Sequence, residues 1–161
     1  MIQYRVIAIP EVITSQVRTT LKSPQYGHPA HVELATGYGP CRFCLKTFQK
    51  GEEQRILFTY NPFDGLSALP APGPIFIHKE DCQQYQGMTF PLELRSLPLV
   101  FEGYGQGGLI VEREEIISEK IEEAIERLFI NSAVEYINVR NAEAGCFIAR
   151  IDRIDSENLS I

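Results

Sequence analysis

The pattern of apolar residues along this 161-residue chain predicts an α+β fold: a single compact domain, a mostly antiparallel sheet, one short N-terminal helix and one long helix in the C-terminal half. Three observations carry the prediction. The candidate elements run β-α-β-β-β-β-α-β-β, without the regular βαβ alternation of a parallel sheet. Apolar runs at 97–104 and 108–112 flank glycines 103, 105, 107 and 108, which reads as a hairpin because glycine supplies the positive φ of tight turns. Finally, Ile116, Ile117, Ile121, Ala124, Ile125 and Leu128 form an apolar stripe at helical spacing, broken by Lys120.

The elements follow in order. Residues 2–9 read as a strand, ended by Pro10, which is tolerated at a helix start. Ile13, Val17 and Leu21 recur every four residues and predict a short amphipathic helix ending near Ser23-Pro24. Residues 24–40 are rich in Gly and Pro and predict irregular chain, with His31–Ala35 at most a short strand. Gln54–Tyr60 is a strand; Asn61-Pro62-Phe63-Asp64-Gly65 is turn chemistry, and residues 66–74, with three prolines, are an ordered loop. Ile75–His78 is a short strand, and Glu80–Tyr85 suits one helical turn. After the glycine hairpin the long helix runs from about Glu114 to Phe129, its early Glu residues suiting the positive end of the helix dipole and Ser118 lying inside it. Ala133–Val139 and Cys146–Ile154 are two strands around the turn Arg140–Gly145; in the second, Phe147, Ala149 and Ile151 share one face and Arg150 and Asp152 the other. Residues 155–161 form a tail.

Composition excludes several classes. Apolar residues make up 44% and charged residues 22%, an ordinary globular balance. No apolar run reaches the ~18 residues of a membrane span, and the opening MIQYRVIAIPEV lacks the order of a signal peptide, so a cytoplasmic protein without a membrane partner is expected. The net charge of −6 is unevenly spread: residues 1–50 carry +4 and the remainder −10. A nucleic-acid partner is not expected, because binding needs a basic stripe that releases phosphate counterions. The seven Glu of 112–126 read as a solvated helix face, with the helix 112–129 as docking site for a protein partner the other reading.

The four cysteines are Cys41, Cys44, Cys82 and Cys146. In a reducing cytosol they point to metal, redox chemistry or burial rather than disulfides. Cys41 and Cys44, with His78 and Cys82 downstream, write C-x2-C-x33-H-x3-C. A closed structural zinc site wants four soft or borderline ligands in a tetrahedron, which three thiolates and an imidazole supply. Each short pair turns two donors toward one point, and the intervening chain, with Gly51-Glu52 and the strand 54–60, can fold back to join them. Residues 37–90 are therefore a candidate zinc-binding subregion. The bland reading is buried thiols around a core histidine, since free Cys is among the most buried residue types.

Other readings are weaker. A redox dithiol wants a helix N-terminus behind C-x2-C, whereas residues 45–53 lead to a turn and a strand. A nucleophilic cysteine with His78 or His31 as base lacks an evident orienting acid. The glycines 103–108 lack the Lys-Ser/Thr of a phosphate loop. Tyr60, Phe63 and Phe76 either pack around the cysteine region or line a cleft.

The same residues sit in linked motifs. Pro40-Cys41-Arg42-x-Cys44-Leu45, Gly51-Glu52, Tyr60-x-Pro62-Phe63 and Gly73-Pro74-Ile75-Phe76-Ile77-His78, then Val139-Arg140-Asn141, Gly145-Cys146-Phe147 and Arg150-Ile151-Asp152-Arg153, resemble the bacterial domain-of-unknown-function family 1203 over about residues 2–154. The resemblance implies a single compact bacterial domain and no assigned activity. It also implies that a zinc quartet belongs to a subset, because many members have Ser at the position of Cys44 and Arg near His78. The paired motifs are also similar to the zinc fingers of poly(ADP-ribose) polymerases, but the H-x3-C spacing and the weak positive charge here do not carry DNA binding across.

The leading expectation is an uncharacterised domain stabilised by structural zinc on Cys41, Cys44, His78 and Cys82. The alternative is a small-molecule-binding protein or enzyme with a Cys/His cleft near residues 73–82. Cys146 is expected to be a buried, unreactive thiol rather than a ligand.

Overall fold

The computed structural model describes residues 2–63 and 72–154. The elements are β1 (Tyr4–Ile7), α1 (Glu11–Thr20), β2 (His31–Leu34), β3 (Gln54–Tyr60), β4 (Gly73–His78), β5 (Leu99–Tyr104), β6 (Ile110–Ile116), α2 (Ile121–Ile130), β7 (Tyr136–Asn141) and β8 (Phe147–Arg153). The class is α+β, and the strands form two antiparallel sheets rather than one. The larger has the order β1-β8-β7-β5-β6; the smaller is β2-β3-β4.

Each sheet owns a core. On the larger, α2 lays Ile121, Ala124, Ile125, Leu128 and Phe129 over Phe101, Ile137, Val139, Ala149 and Ile151. Arg153 donates to the carbonyls of Phe129 (2.8 Å) and Val134 (3.0 Å), supplying partners at the end of the helix where carbonyls are left over. On the smaller, α1 contributes Val17 to a cluster with Phe43, Phe48, Ile56, Phe58, Ile75 and Ile77. Pro10 opens α1 as expected, but the helix stops at Thr20: Leu21 adopts φ 53° as its C-cap and is exposed.

The glycine hairpin forms, and it is longer than its apolar residues indicate. Leu99 pairs with Ile116, so Glu114–Ile116 belong to β6 and not to the start of the long helix. Pairing satisfies backbone groups of β5 that would otherwise be buried and unmade, and Ile116 packs against the core from the strand. Ile117 is exposed, Ser118–Lys120 form a 3₁₀ turn, and α2 proper begins at Ile121. The acidic run is therefore split between an edge strand and a helix, tied together where Arg127 pairs with Glu114. Gly107 has φ 75°, the turn conformation expected of this glycine.

The short strand allowed at His31–Ala35 forms as His31–Leu34, held in the His31–Leu57 to Leu34–Gln54 register, with Arg55 of β3 pairing with Glu33 across the ladder (3.1 Å). Two further expectations are corrected. Glu80–Tyr85 contains no helical turn. Phe147 does not share a face with Ala149 and Ile151: a bulge shifts the β7–β8 register so that Val139 faces Ala149 and Arg140 faces Phe147. The extra residue turns Phe147 to the side of Arg140, away from α2. In the turn after β3 the Phe63 N–H donates to the Asn61 side chain (2.9 Å) as turn chemistry predicts. The rest of that turn, most of the loop expected at 66–74 and the 155–161 tail lie outside the described residues.

Ile121 is fully buried under the helix. Ile121→Asp should cost about 4 kcal/mol by burying an unpaired charge and lower the melting temperature by about 10 °C. A variant melting within a degree of the parent would contradict this packing.

Candidate metal centre

The C-x2-C pair sits on a tight turn that the backbone closes twice. The Leu45 N–H donates to the Cys41 carbonyl (2.9 Å), and the Cys41 N–H donates to that of Lys46 (2.9 Å). Leu45 takes φ 58°, which turns the chain sharply enough for both sulfurs to face one side. The 33 residues that separate this pair from His78 are absorbed by the small sheet. The chain leaves along β3 and returns along β4, whose last residue is His78. The Arg42 N–H donates to Phe76 (3.0 Å), fixing the turn beside the end of β4.

Cys41, Cys44, His78 and Cys82 meet there, with their donor atoms all within 4.8 Å of one another. The Cys41 and Cys82 sulfurs are 3.9 Å apart, and the Cys44 Sγ lies 3.4 Å from His78 Nδ1. A tetrahedral ion with bonds of about 2.3 Å to sulfur sets its ligand atoms about 3.8 Å apart, so the four residues can hold a metal ion. The first three are buried and Cys82 is half-buried. The His78 backbone N–H also donates to Cys41 Sγ (3.3 Å), a bond that favours the thiolate.

Two residues that the sequence reading passed over complete the surroundings. Glu53 Oε2 is 3.0 Å from His78 Nε2, which leaves Nδ1 as the nitrogen facing the sulfurs. Carboxylates so placed fix the tautomer and orientation of metal-bound imidazoles. Arg18 of α1 donates from Nη2 to Cys82 Sγ (3.3 Å) and from Nε to the His78 carbonyl (3.1 Å). Glu53 was findable: it directly precedes β3, whose Arg55 pairs with His78. Nothing in the spacing of α1 pointed to Arg18.

The metal-free cluster shares its protons unevenly. Burial opposes ionisation of Cys41, but hydrogen bonds from Cys44, Cys82 and His78 outweigh it and hold this thiol far below its ordinary range. Cys44 is pushed upward by its bonds to Cys41 and Cys82, with burial adding to the effect. Burial lowers His78, yet its bonds to the Cys41 and Cys82 thiols and the charges of Cys41 and Glu53 raise it to about 10.

Cys146 stands outside the cluster, as expected, but it is half-exposed in the turn before β8 rather than buried in the strand. His31 is on β2, 4.0 Å from Glu33, and takes no part. Phe76 packs edge-on against Phe48 and under Arg55, whereas Tyr60 and Phe63 line hollows between the two sheets. No helix among the described residues is long and apolar enough to cross a membrane.

Comparison with curated proteins and with solved structures yields no match. Residues 38–153 match the family described as Protein of unknown function (DUF1203), a span that takes in the turn 41–45, all four clustered residues and the large-sheet strands β5–β8; the chain belongs to this family.

Proposed function

We propose that the chain is a non-catalytic bacterial domain whose small sheet is fastened by one structural zinc ion on Cys41, Cys44, His78 and Cys82. The observation that carries this reading is the convergence of four donor atoms within 4.8 Å. Three thiolates and one imidazole at tetrahedral spacing favour zinc over the harder divalent cations. The filled site has one excess negative charge, which Arg18 beside Cys82 offsets. A reducing cytoplasm suits the reading, because it keeps the sulfurs available as ligands.

One observation favours a second reading, a small-molecule or catalytic site. Cys44, His78 and Cys82 line a depression of about 600 Å³ that also holds Glu53, Glu80 and Asp81. A catalytic zinc keeps an open position, so cobalt substitution separates the two: a closed tetrahedron is insensitive to added azide, and an open one changes its spectrum.

Purified protein should contain one zinc per chain. Cys44→Ser should lose most of it and expose Cys41 and Cys82 to faster alkylation. It should loosen residues 37–90 in hydrogen exchange while α2, β7 and β8 stay protected. Substoichiometric zinc in protein prepared without chelator would defeat the reading.

Glu53→Gln should weaken zinc retention about 10- to 100-fold, the usual cost of removing a carboxylate behind a ligating imidazole, with little change in the melting temperature of the zinc-loaded protein. Unchanged zinc affinity in a competition assay would show that Glu53 does not act through His78.

At pH 7 the metal-free protein holds protons on His78, raised to about 10, and on Cys44, which zinc must displace. Apparent affinity should therefore rise with pH and fall as pH drops, by at least about a hundredfold per unit near neutrality, because at least these two protons are released. A competition titration against a chromophoric chelator at three pH values measures the slope, and a flat profile would be inconsistent with these ligands.

A further inference from the structure

The clustered sulfurs are not equally reached from outside. Cys41 is wholly enclosed and Cys44 is 7% exposed, whereas Cys82 is half-buried. Cys82 lies on the wall of the open depression of about 600 Å³ beside the cluster, and Cys41 does not. Cys44 also borders it, with its Sγ turned to His78 Nδ1 (3.4 Å). A small solute entering from that side meets the Cys82 sulfur first.

Behind Cys82 sits a second sulfur, Cys41 Sγ, 3.9 Å away. A disulfide requires the two to approach to about 2 Å. Cys82 has the freedom to move, because residues 81–87 belong to no helix or strand, while Cys41 is fixed by its closed turn. The segment nevertheless stays beside that turn, where the Tyr85 N–H donates to the Phe43 carbonyl (2.9 Å). An accessible sulfur backed by a partner sulfur is the arrangement of redox-sensing cysteines. Arg18 adds a third part: its Nη2 is 3.3 Å from Cys82 Sγ, placed to offset negative charge on a group departing from that sulfur.

We infer that Cys82 is a peroxide-reactive cysteine that Cys41 resolves into a disulfide, releasing the zinc ion. The oxidation rests on the positions of the sulfurs; only the release rests on the metal reading. The oxidant is a hydroperoxide. The Cys82 thiolate attacks one peroxide oxygen, the O–O bond breaks, and hydroxide leaves a sulfenic acid behind. The Cys41 thiolate then attacks the Cys82 sulfur, the S–S bond forms, and a second hydroxide leaves. Two protons from solvent turn both hydroxides into water; the peroxide gains two electrons and the two sulfurs lose them. Zinc keeps only Cys44 and His78 and dissociates. The new bond closes a loop containing both β3 and β4, so the turn and the end of β4 stay tied after the ion has gone. A dithiol reductant reverses the step by taking over the disulfide.

The test exposes the zinc-loaded full chain to about a tenfold excess of hydrogen peroxide, with a chromophoric chelator reporting free zinc and peptide mass spectrometry mapping the disulfide. One zinc should appear per disulfide, and the mapped bond should join Cys41 to Cys82. Dithiothreitol with added zinc should restore the starting metal content. Cys41→Ser, with or without bound metal, should accumulate a sulfenic acid on Cys82 that dimedone traps, because the resolving sulfur is gone. Arg18→Gln keeps all four ligands and should slow zinc release by about tenfold, while Cys146→Ser should leave the rate unchanged. Protein isolated without zinc should still form the same disulfide, which would defeat the metal reading and leave this one standing. Zinc retained with no Cys41–Cys82 bond formed, a disulfide joining Cys41 to Cys44, or dimedone label confined to Cys146 would overturn the inference.

Discussion

The arrangement turns on one buried cation. Arg42, the first residue between the paired cysteines, is almost wholly enclosed where the two sheets meet. Its side chain donates to the carbonyls of Phe147 in β8 (2.8 Å) and Pro40 (2.6 Å), while its own N–H holds Phe76 in β4 and its carbonyl receives Ile9 (3.3 Å). A charge without such partners would be prohibitively costly to bury. Burial pulls Arg42 down to about 10, against the opposing influence of Cys146 and Cys41, so it stays protonated at neutral pH. The turn that presents Cys41 and Cys44 is thus pinned to both sheets by a residue that cannot move without stranding its charge.

Around that anchor the cysteine cluster is balanced from both sides. Three sulfurs brought this close repel one another once ionised, and the neighbours oppose that repulsion: Arg18 lies on Cys82, the His78 N–H lies on Cys41, and Glu53 holds the imidazole in the orientation that turns Nδ1 inward. Arg18 belongs to α1, so the helix contributes more than Val17 to the small sheet. It also carries the countercharge, and its guanidinium rests 5.7 Å from the Phe43 ring inside the C-x2-C turn.

The cluster was legible because it is written in short pairs. C-x2-C and H-x3-C each fix two donors locally, and the strands Gln54–Tyr60 and Ile75–His78 between them were plain from their composition, so only their antiparallel pairing had to be supplied. What the sequence left hidden depends on pairing across the chain. The Ile116–Ile117 step fits a helical stripe as well as a strand, and only the ladder with Leu99 decides for the strand. Phe147 alternates correctly with Ala149 until a bulge inserts Ile148. Arg18 and Cys82 are 64 residues apart, with no local pattern linking them. Glu102, an acid in the middle of an apolar strand, finds Asn138 and Arg140 only because β5 and β7 are neighbours in the sheet.

The cysteine cluster and the inter-sheet cleft share one structural element. Arg42 follows Cys41 directly and holds the carbonyl of Phe147, whose ring lines the cleft. On the other side, Ile9 is bonded to Arg42 through its N–H and to Gln84 through its carbonyl, two residues beyond Cys82, and it too borders the cleft. Both ends of the cysteine cluster therefore carry a hydrogen bond to a wall of the cleft. A turn held rigid at Cys41 and Cys44 keeps Arg42 in place, and a fixed Arg42 keeps Phe147 at the distance from Tyr60 and Arg150 that gives the hollow its width. The small sheet acts in this way as a rigid wall set against the polar face of the large one, and the bulged strand β8 is where the two are joined.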